Sequence, residues 1–267
     1  MEFRLLQHRA AQKQSATSAI GGTGSLAFRF RAGGLHLCGS AAVLTLVWGS
    51  LYAGWYRWPA WYLTGVLHVI VIMGAVDLAL GPSLTAIVAN ATKSRRELTR
   101  DIGIIVAVQV AALIYGTAAL WQGRPLYYAF SSNRVLLVQA SELQPNEIAL
   151  ARRENPRFVP KWDSLPRWVW AAPPKDPKAT ASLFGQTLPR YYRPWSEGIR
   201  ELRKQLRSVD QQYVFSHSQR VRLRERMQRM GLAVDQPITT FISGSAKKAL
   251  VVFDPGSMRV RAVLRAD

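Results

Sequence analysis

The sequence predicts a membrane protein with three transmembrane α-helices followed by a small α+β extracytoplasmic domain. Three observations carry that expectation. Residues 35–55, 61–90 and 102–121 are almost unbroken apolar runs, in which Asp77 is the one residue of the Asp, Glu, Lys and Arg types. Each is long enough to cross a bilayer, for which about 20 residues suffice, and too uniformly apolar for an amphipathic core helix. The linkers between the runs differ in charge: residues 91–101 hold Lys93, Arg95, Arg96 and Arg100, whereas the first linker holds Arg57. After residue 121, β-like and helix-like patterns alternate between turn signals.

The boundaries follow from these patterns. Residues 1–34 form a basic tail around the Ser/Thr/Gly-rich stretch SATSAIGGTGS, which reads as flexible. Its Gly21-Gly22-Thr23-Gly24 cluster is not a phosphate loop, because no strand precedes it and no Lys-Ser/Thr follows. The apolar run after it is too long for a cleaved signal peptide, so a retained signal anchor is expected. Residues 35–121 form the three-helix transmembrane region and residues 122–267 the α+β domain.

The second run holds the most information. Asp77 lies late in it, and a charge in hydrocarbon costs roughly 2.5–3.5 kcal/mol on insertion scales, so it must face protein, water or an interface. Pro82 has no N–H for the Leu78 carbonyl and crowds it, which predicts a kink or a helix end around residues 78–82. Thirty helical residues would reach about 45 Å, more than the roughly 30 Å core. Either the helix stops near Leu80 with Asp77 by the interface, or it continues, kinked, with Asp77 deep inside.

Positive-inside counting puts the N-terminus and the 91–101 loop in the cytoplasm, and the domain on the far side of a bacterial inner membrane, in the periplasm. The aromatic cluster Trp55-Tyr56-Arg57-Trp58-Pro59-Ala60-Trp61 suits a membrane–water interface. The net charge of +19 would suggest nucleic acid in a soluble protein. On a far-side domain it serves topology and contact with inner-membrane lipids instead, and no nucleic-acid partner is expected. With Cys38 the one cysteine, no intrachain disulfide forms.

Within 122–267, Leu126–Phe130 and Val135–Gln139 read as a hairpin. Residues 155–194, rich in Pro and Trp, read as an extended connector without a period. Ile199, Leu202, Leu206 and Val209 recur at helical spacing, and a second helix runs from Ser218 to Met230 with Gly231 as its stop. Residues 249–253 and 260–264 form a closing hairpin around Asp254-Pro255-Gly256-Ser257, and one sheet could take in both hairpins.

A set of residues between 35 and 145 resembles the TfpX/TfpZ family of type IV pilin accessory proteins. It comprises His36-Leu37, Val76-Asp77-Leu78, Leu80-Gly81-Pro82, Leu84-Thr85, Asp101-Ile102, Gln109, Ala112-Leu113, Tyr115-Gly116, Arg124-Pro125, Phe130 and Arg134, in order and at the expected spacing. The closing hairpin around Asp254 also fits, but the family's final Arg-Pro-Trp is absent, and the first 30 or so residues look like an extension. The resemblance implies an inner-membrane factor that supports assembly or stability of type IV pilin subunits, chaperone-like, with no cofactor and no catalytic chemistry. It also implies candidate pilin-binding residues: Asp77, Gly81, Pro82, Gln109, Tyr115, Arg124 and Pro125.

The other readings are blander or belong to another class. His36 and His68 are expected to be hydrogen-bonded and no more, and His217 has no paired carboxylate. No metal-ligand or nucleophile–base spacing is present. Arg220, Arg222, Arg224, Arg226 and Arg229 form a stripe that reads first as a solvated helix face. Gly49, Gly54 and Gly116 allow close helix packing. The rival is a membrane enzyme modifying pilin or envelope glycan, using Asp77 with Arg124 or the arginine stripe. A weaker third is a membrane-anchored regulator with its basic domain on nucleic acid.

Overall fold

The computed structural model describes the backbone of residues 2–90, 92–174 and 188–267, and side chains within these ranges from residue 26 onward. The chain divides into two compact units: residues 1–49 with 68–118, and residues 50–67 with 119–267.

The first unit is helical. Helix α1 (Glu2–Gly54) takes in the tail for which the sequence predicts flexibility. From Leu26 that tail is apolar helix, so the stretch able to cross a membrane is Leu26–Gly54 instead of 35–55. Leu26, Ala27, Phe28, Phe30 and Ala32 carry it past Arg29 and Arg31, whose long stems let their charges reach an interface. The second crossing is continuous from Leu67 to Val88 and has three parts: α3 (Leu67–Gly74), a π-helical turn (Ala75–Leu80) and α4 (Gly81–Val88). The helix therefore does not stop at Leu80. The third crossing is α5 (Arg95–Gln122). Among the described residues these three helices are long and apolar enough to cross a membrane.

The second unit is built on one mixed sheet. Its strands are β1 (Pro125–Ser131), β2 (Arg134–Gln139), β3 (Arg167–Ala171), β4 (Tyr192–Pro194), β5 (Thr239–Ser243), β6 (Lys248–Phe253) and β7 (Val260–Arg265). Among the described residues the order is β4-β3-β1-β2-β5-β6-β7. Both expected hairpins form, and β5 joins them by pairing parallel with β2 at Val135–Ile242 and Leu136–Ser243. On the other side β3 pairs parallel with β1, and β4 antiparallel with β3.

Side chains alternate between the two faces as a pleat requires. Tyr128, Phe130, Leu137, Val251 and Phe253 meet α7 (Trp195–Gln205) through Leu202 and Ile199. Gly198 permits this approach, because a Cβ there would sit 2.4 Å from Cγ of Trp170. On the opposite face, α8 (His217–Arg229) packs Leu223 and Met227 on Leu250, Val252 and Leu264. Farther along that face, Tyr127, Ala129 and Val169 meet Phe158 and Tyr192. Gly231 ends the α8 segment with φ of +65°, a conformation that glycine adopts without penalty.

The expected connector over 155–194 is corrected, because β3 and β4 lie within it; residues 175–187 lie outside the described residues. In β3, Trp168 and Trp170 face one core while Val169 and Ala171 face the other, so both faces are apolar and no alternation shows. The helix expected to reach Val209 ends at Gln205, although Leu206 and Val209 remain buried. Helix α6 (Pro145–Glu154) and strand β5 were not expected.

The sequence-based division at residues 121/122 places the first inter-helix linker with the membrane region. The structure places residues 50–67 with the sheet. Short helix α2 (Ala60–Thr64) buries Tyr62 and Leu63 in the core beneath Val251 and Phe253. The Leu63 carbonyl accepts from the backbone N–H groups of Ala246 and Lys247, at 3.0 and 3.2 Å. Tyr56 Oη donates to the Leu120 carbonyl, and Trp55 Nε1 to that of Ser164. Asp267 closes the attachment: hydrogen bonds from Arg265, Lys247 and Tyr62 hold its carboxyl well below the usual carboxylate range. Three crossings put the first linker and the chain after the third on the same side of a bilayer, as this docking requires.

Leu63→Ala is expected to cost about 2–5 kcal/mol, the range for emptying a packed leucine site. Thermal unfolding in detergent should show a lowered transition for the sheet, while the helical signal of the spans persists.

Candidate functional site

The buried polar residues Asp77, Thr85 and Gln109 of the first unit gather around the middle of the Leu67–Val88 crossing. The geometry begins with proline. The Gly81 N–H bonds the carbonyl of Val76, five residues back, instead of that of Asp77. In this wider register the Asp77 carbonyl would be answered by residue 82, a proline with no N–H. Gln109 of α5 takes that place, donating from Nε2 to the Asp77 carbonyl oxygen at 3.3 Å. Without such a donor the carbonyl would stay unsatisfied in hydrocarbon, which is costly.

Gly81 makes room for this bond. A Cβ at that position would lie 2.0–2.6 Å from the amide atoms of Gln109. Two further glycines bring helices together nearby. At Gly33 of α1 a Cβ would lie 3.0 Å from the Pro82 carbonyl and from Cβ of Ala86, and at Gly116 of α5 it would lie 2.6 Å from Sδ of Met73. Small residues at such crossings let backbones approach closely. Gly116 does what its sequence position suggests, whereas a Cβ at Gly49 would meet nothing within 4 Å.

The Asp77 side chain is 5% exposed and has Gln109 and His36 as its polar neighbours. His36 Nδ1 lies 2.6 Å from Oγ1 of Thr85, itself buried. Oδ1 of Asp77 and Oε1 of Gln109 are buried without a hydrogen-bond partner among the described residues. Both are acceptors, so the cluster has spare capacity for a donor.

Four of the seven candidate residues, Asp77, Gly81, Pro82 and Gln109, thus come together and are buried. Tyr115 stands apart on α5, 79% exposed. Arg124 and Pro125 belong to the other unit. The Arg124 guanidinium lies over the Trp121 ring and donates to the Trp121 carbonyl at 2.7 Å, and Pro125 is buried at the start of β1. His36 and Thr85 were missed as members of the cluster. Asp77, Gly81 and Thr85 recur at i, i+4 and i+8, a one-face spacing that could have found Thr85.

The arginine stripe is only partly a solvated face. Arg220 donates to the Phe215 carbonyl, Arg222 to that of Ala266, and Arg226 to those of Arg265 and Asp267, while Arg224 pairs with Asp210. These arginines tie α8 to its own entry loop and to the last strand.

No family model matches the chain, and no solved structure matches it. Among curated proteins it matches a fimbrial assembly protein of serogroup I from Dichelobacter nodosus, at 22% identity over 247 residues. That match spans 90% of this chain and 96% of the relative. The chain is similar to fimbrial assembly proteins. Two more from the same organism match parts of it. The protein of serogroups C1 and C2 is 26% identical over 124 residues, covering 46% of this chain and 95% of its own length. The protein of serogroup E1 is 25% identical over 131 residues, covering 49% and 51%.

Gly81→Ala should act by displacing the Gln109 amide and so reproduce Gln109→Ala. Each should lower thermal stability in detergent by about 0.6–2 kcal/mol, the worth of one interhelical hydrogen bond in a membrane. The double variant should be no worse than either single one, and an additive loss would separate the two positions.

Proposed function

We propose that this protein is an inner-membrane accessory factor for type IV pilus biogenesis. It binds pilin subunits through its membrane helices and its sheet domain, and supports their assembly or stability without catalysis. The observation that carries this reading is the near full-length similarity to a fimbrial assembly protein. The residues resembling the TfpX/TfpZ accessory family add to it, since Asp77, Gly81, Pro82, Thr85, Gln109 and Gly116 are the ones that hold the helices together. A pilin precursor is held in the membrane by one helix before polymerisation, so a partner that is itself a helix bundle with a domain outside the bilayer suits both of its parts. On this reading the N-terminus is cytoplasmic and the sheet domain periplasmic, as the basic 91–101 loop favours.

The orientation is tested by fusions after residue 267: alkaline phosphatase should be active there and Sec-exported green fluorescent protein dark. The reverse pattern overturns the periplasmic placement. Loss of the protein should reduce surface fibres or pilin amount while pilin mass stays unchanged. A change in pilin mass would favour an enzyme that modifies the subunit.

A further inference from the structure

The first unit carries a long open groove of about 650 Å³. One wall is α1, from Phe28 through Leu35 to Val43; the other is α5, from Leu98 through Val106 to Leu113. Both walls advance in the same direction, as the first and third of three crossings must. Each covers about 22 Å at 1.5 Å per residue, roughly four helical turns and most of a hydrocarbon core. The walls are mostly apolar, with Arg31, His36 and Ser40 on α1 and Gln109 on α5, and Asp77 and Thr85 line the groove from the second crossing.

The geometry points to a single transmembrane helix as the occupant: the membrane helix of the pilin subunit, lying along α1 and α5 and presenting a hydrogen-bond donor at mid-depth. This rests on the pilin-binding reading above and names the site for it. Two features distinguish a helix from loosely held acyl chains. The walls of the groove run about as far as a helix needs to cross most of a hydrocarbon core. Its lining also includes two side chains more than nine-tenths buried, whose Oδ1 and Oε1 acceptors lack a donor among the described residues. Lipid tails offer no donor at that depth, and buried acceptors in hydrocarbon are costly unless met. Gly39 lines the same groove, and a Cβ there would meet nothing within 4 Å, so the space beside it is open to a neighbouring backbone.

The test is photo-crosslinking in membranes of cells that make pilin. The photoreactive residue is placed at Leu35, Val43 or Val106 in the groove, and at Ile104 or Val108 on a different face of α5. Pilin adducts should form from the groove positions and fall about tenfold or more at the others. Gly39→Trp, at a position where an added Cβ meets nothing within 4 Å, should accumulate normally and abolish those adducts. Asp77→Asn should accumulate normally and weaken them by about tenfold, since it replaces one of the two carboxyl oxygens with an amide that cannot accept a hydrogen bond. If pilin co-purifies but crosslinks only from Ile104, Val108 or the sheet domain, or if Gly39→Trp changes nothing, the groove is overturned and the pilin reading stands. Lipid-sized adducts alone at the groove overturn it as well. No association with pilin by either measurement overturns both.

Discussion

A main-chain carbonyl without an N–H partner, in the middle of a membrane helix, is the constraint around which the first unit is arranged. Pro82 creates the vacancy by lacking a donor, and the π turn passes it to Asp77. Gln109 then has to reach across from the third crossing, and it can do so only because Gly81 has no side chain. Gly116 brings the third crossing against Met73 of the second, and Gly33 separately brings α1 against Pro82 and Ala86. A proline, a glycine and a glutamine thus form one chain of cause, in which each residue answers a need that another created.

The sheet unit rests on a different kind of dependence. Its core is completed by Tyr62 and Leu63, which come from the segment between the first two crossings. Two backbone hydrogen bonds to the Leu63 carbonyl, the tyrosine at position 56 and the carboxyl of Asp267 hold that segment in place. Gly244 records how tight the fit is, since a Cβ there would lie 2.4 Å from the Leu63 oxygen. Full burial of a leucine contributes about 1.5–3 kcal/mol, a large share of the stability of a small domain.

The fold class was legible because the bilayer imposes a length and a composition on anything that crosses it. Both hairpins were legible because their turns are chemically distinct from their strands. What hid β3 was burial on both faces, which removes the polar half of the alternation and leaves tryptophan beside valine. The cluster 55–61 reads as an interface loop, and Tyr62 and Leu63 as the start of the second crossing, because aromatic and apolar residues suit a membrane as well as they suit a core. At the candidate site, Asp77, Gly81, Pro82 and Gln109 stand out as polar or helix-breaking residues within apolar runs. His36 did not, because a single histidine in a span gives no sign of its partner, and the one sign of Thr85 was its one-face spacing from Asp77 and Gly81. Tyr115 shows the reverse: a residue picked by resemblance that the helix turns away from the cluster.

The attachment of the first linker also bears on how the protein is made. Residues 62 and 63 leave the ribosome well before β1, and two more membrane crossings must be threaded before the strands that cover them exist. Until then Tyr62 and Leu63 lack the strands that bury them. The sheet then closes over a segment already tethered to the membrane at both ends. A fragment cut to begin at residue 119 would have to fold around a hole where those two side chains belong. The part that looks like a detachable soluble domain is completed, in its core, by a segment that lies two crossings earlier in the chain.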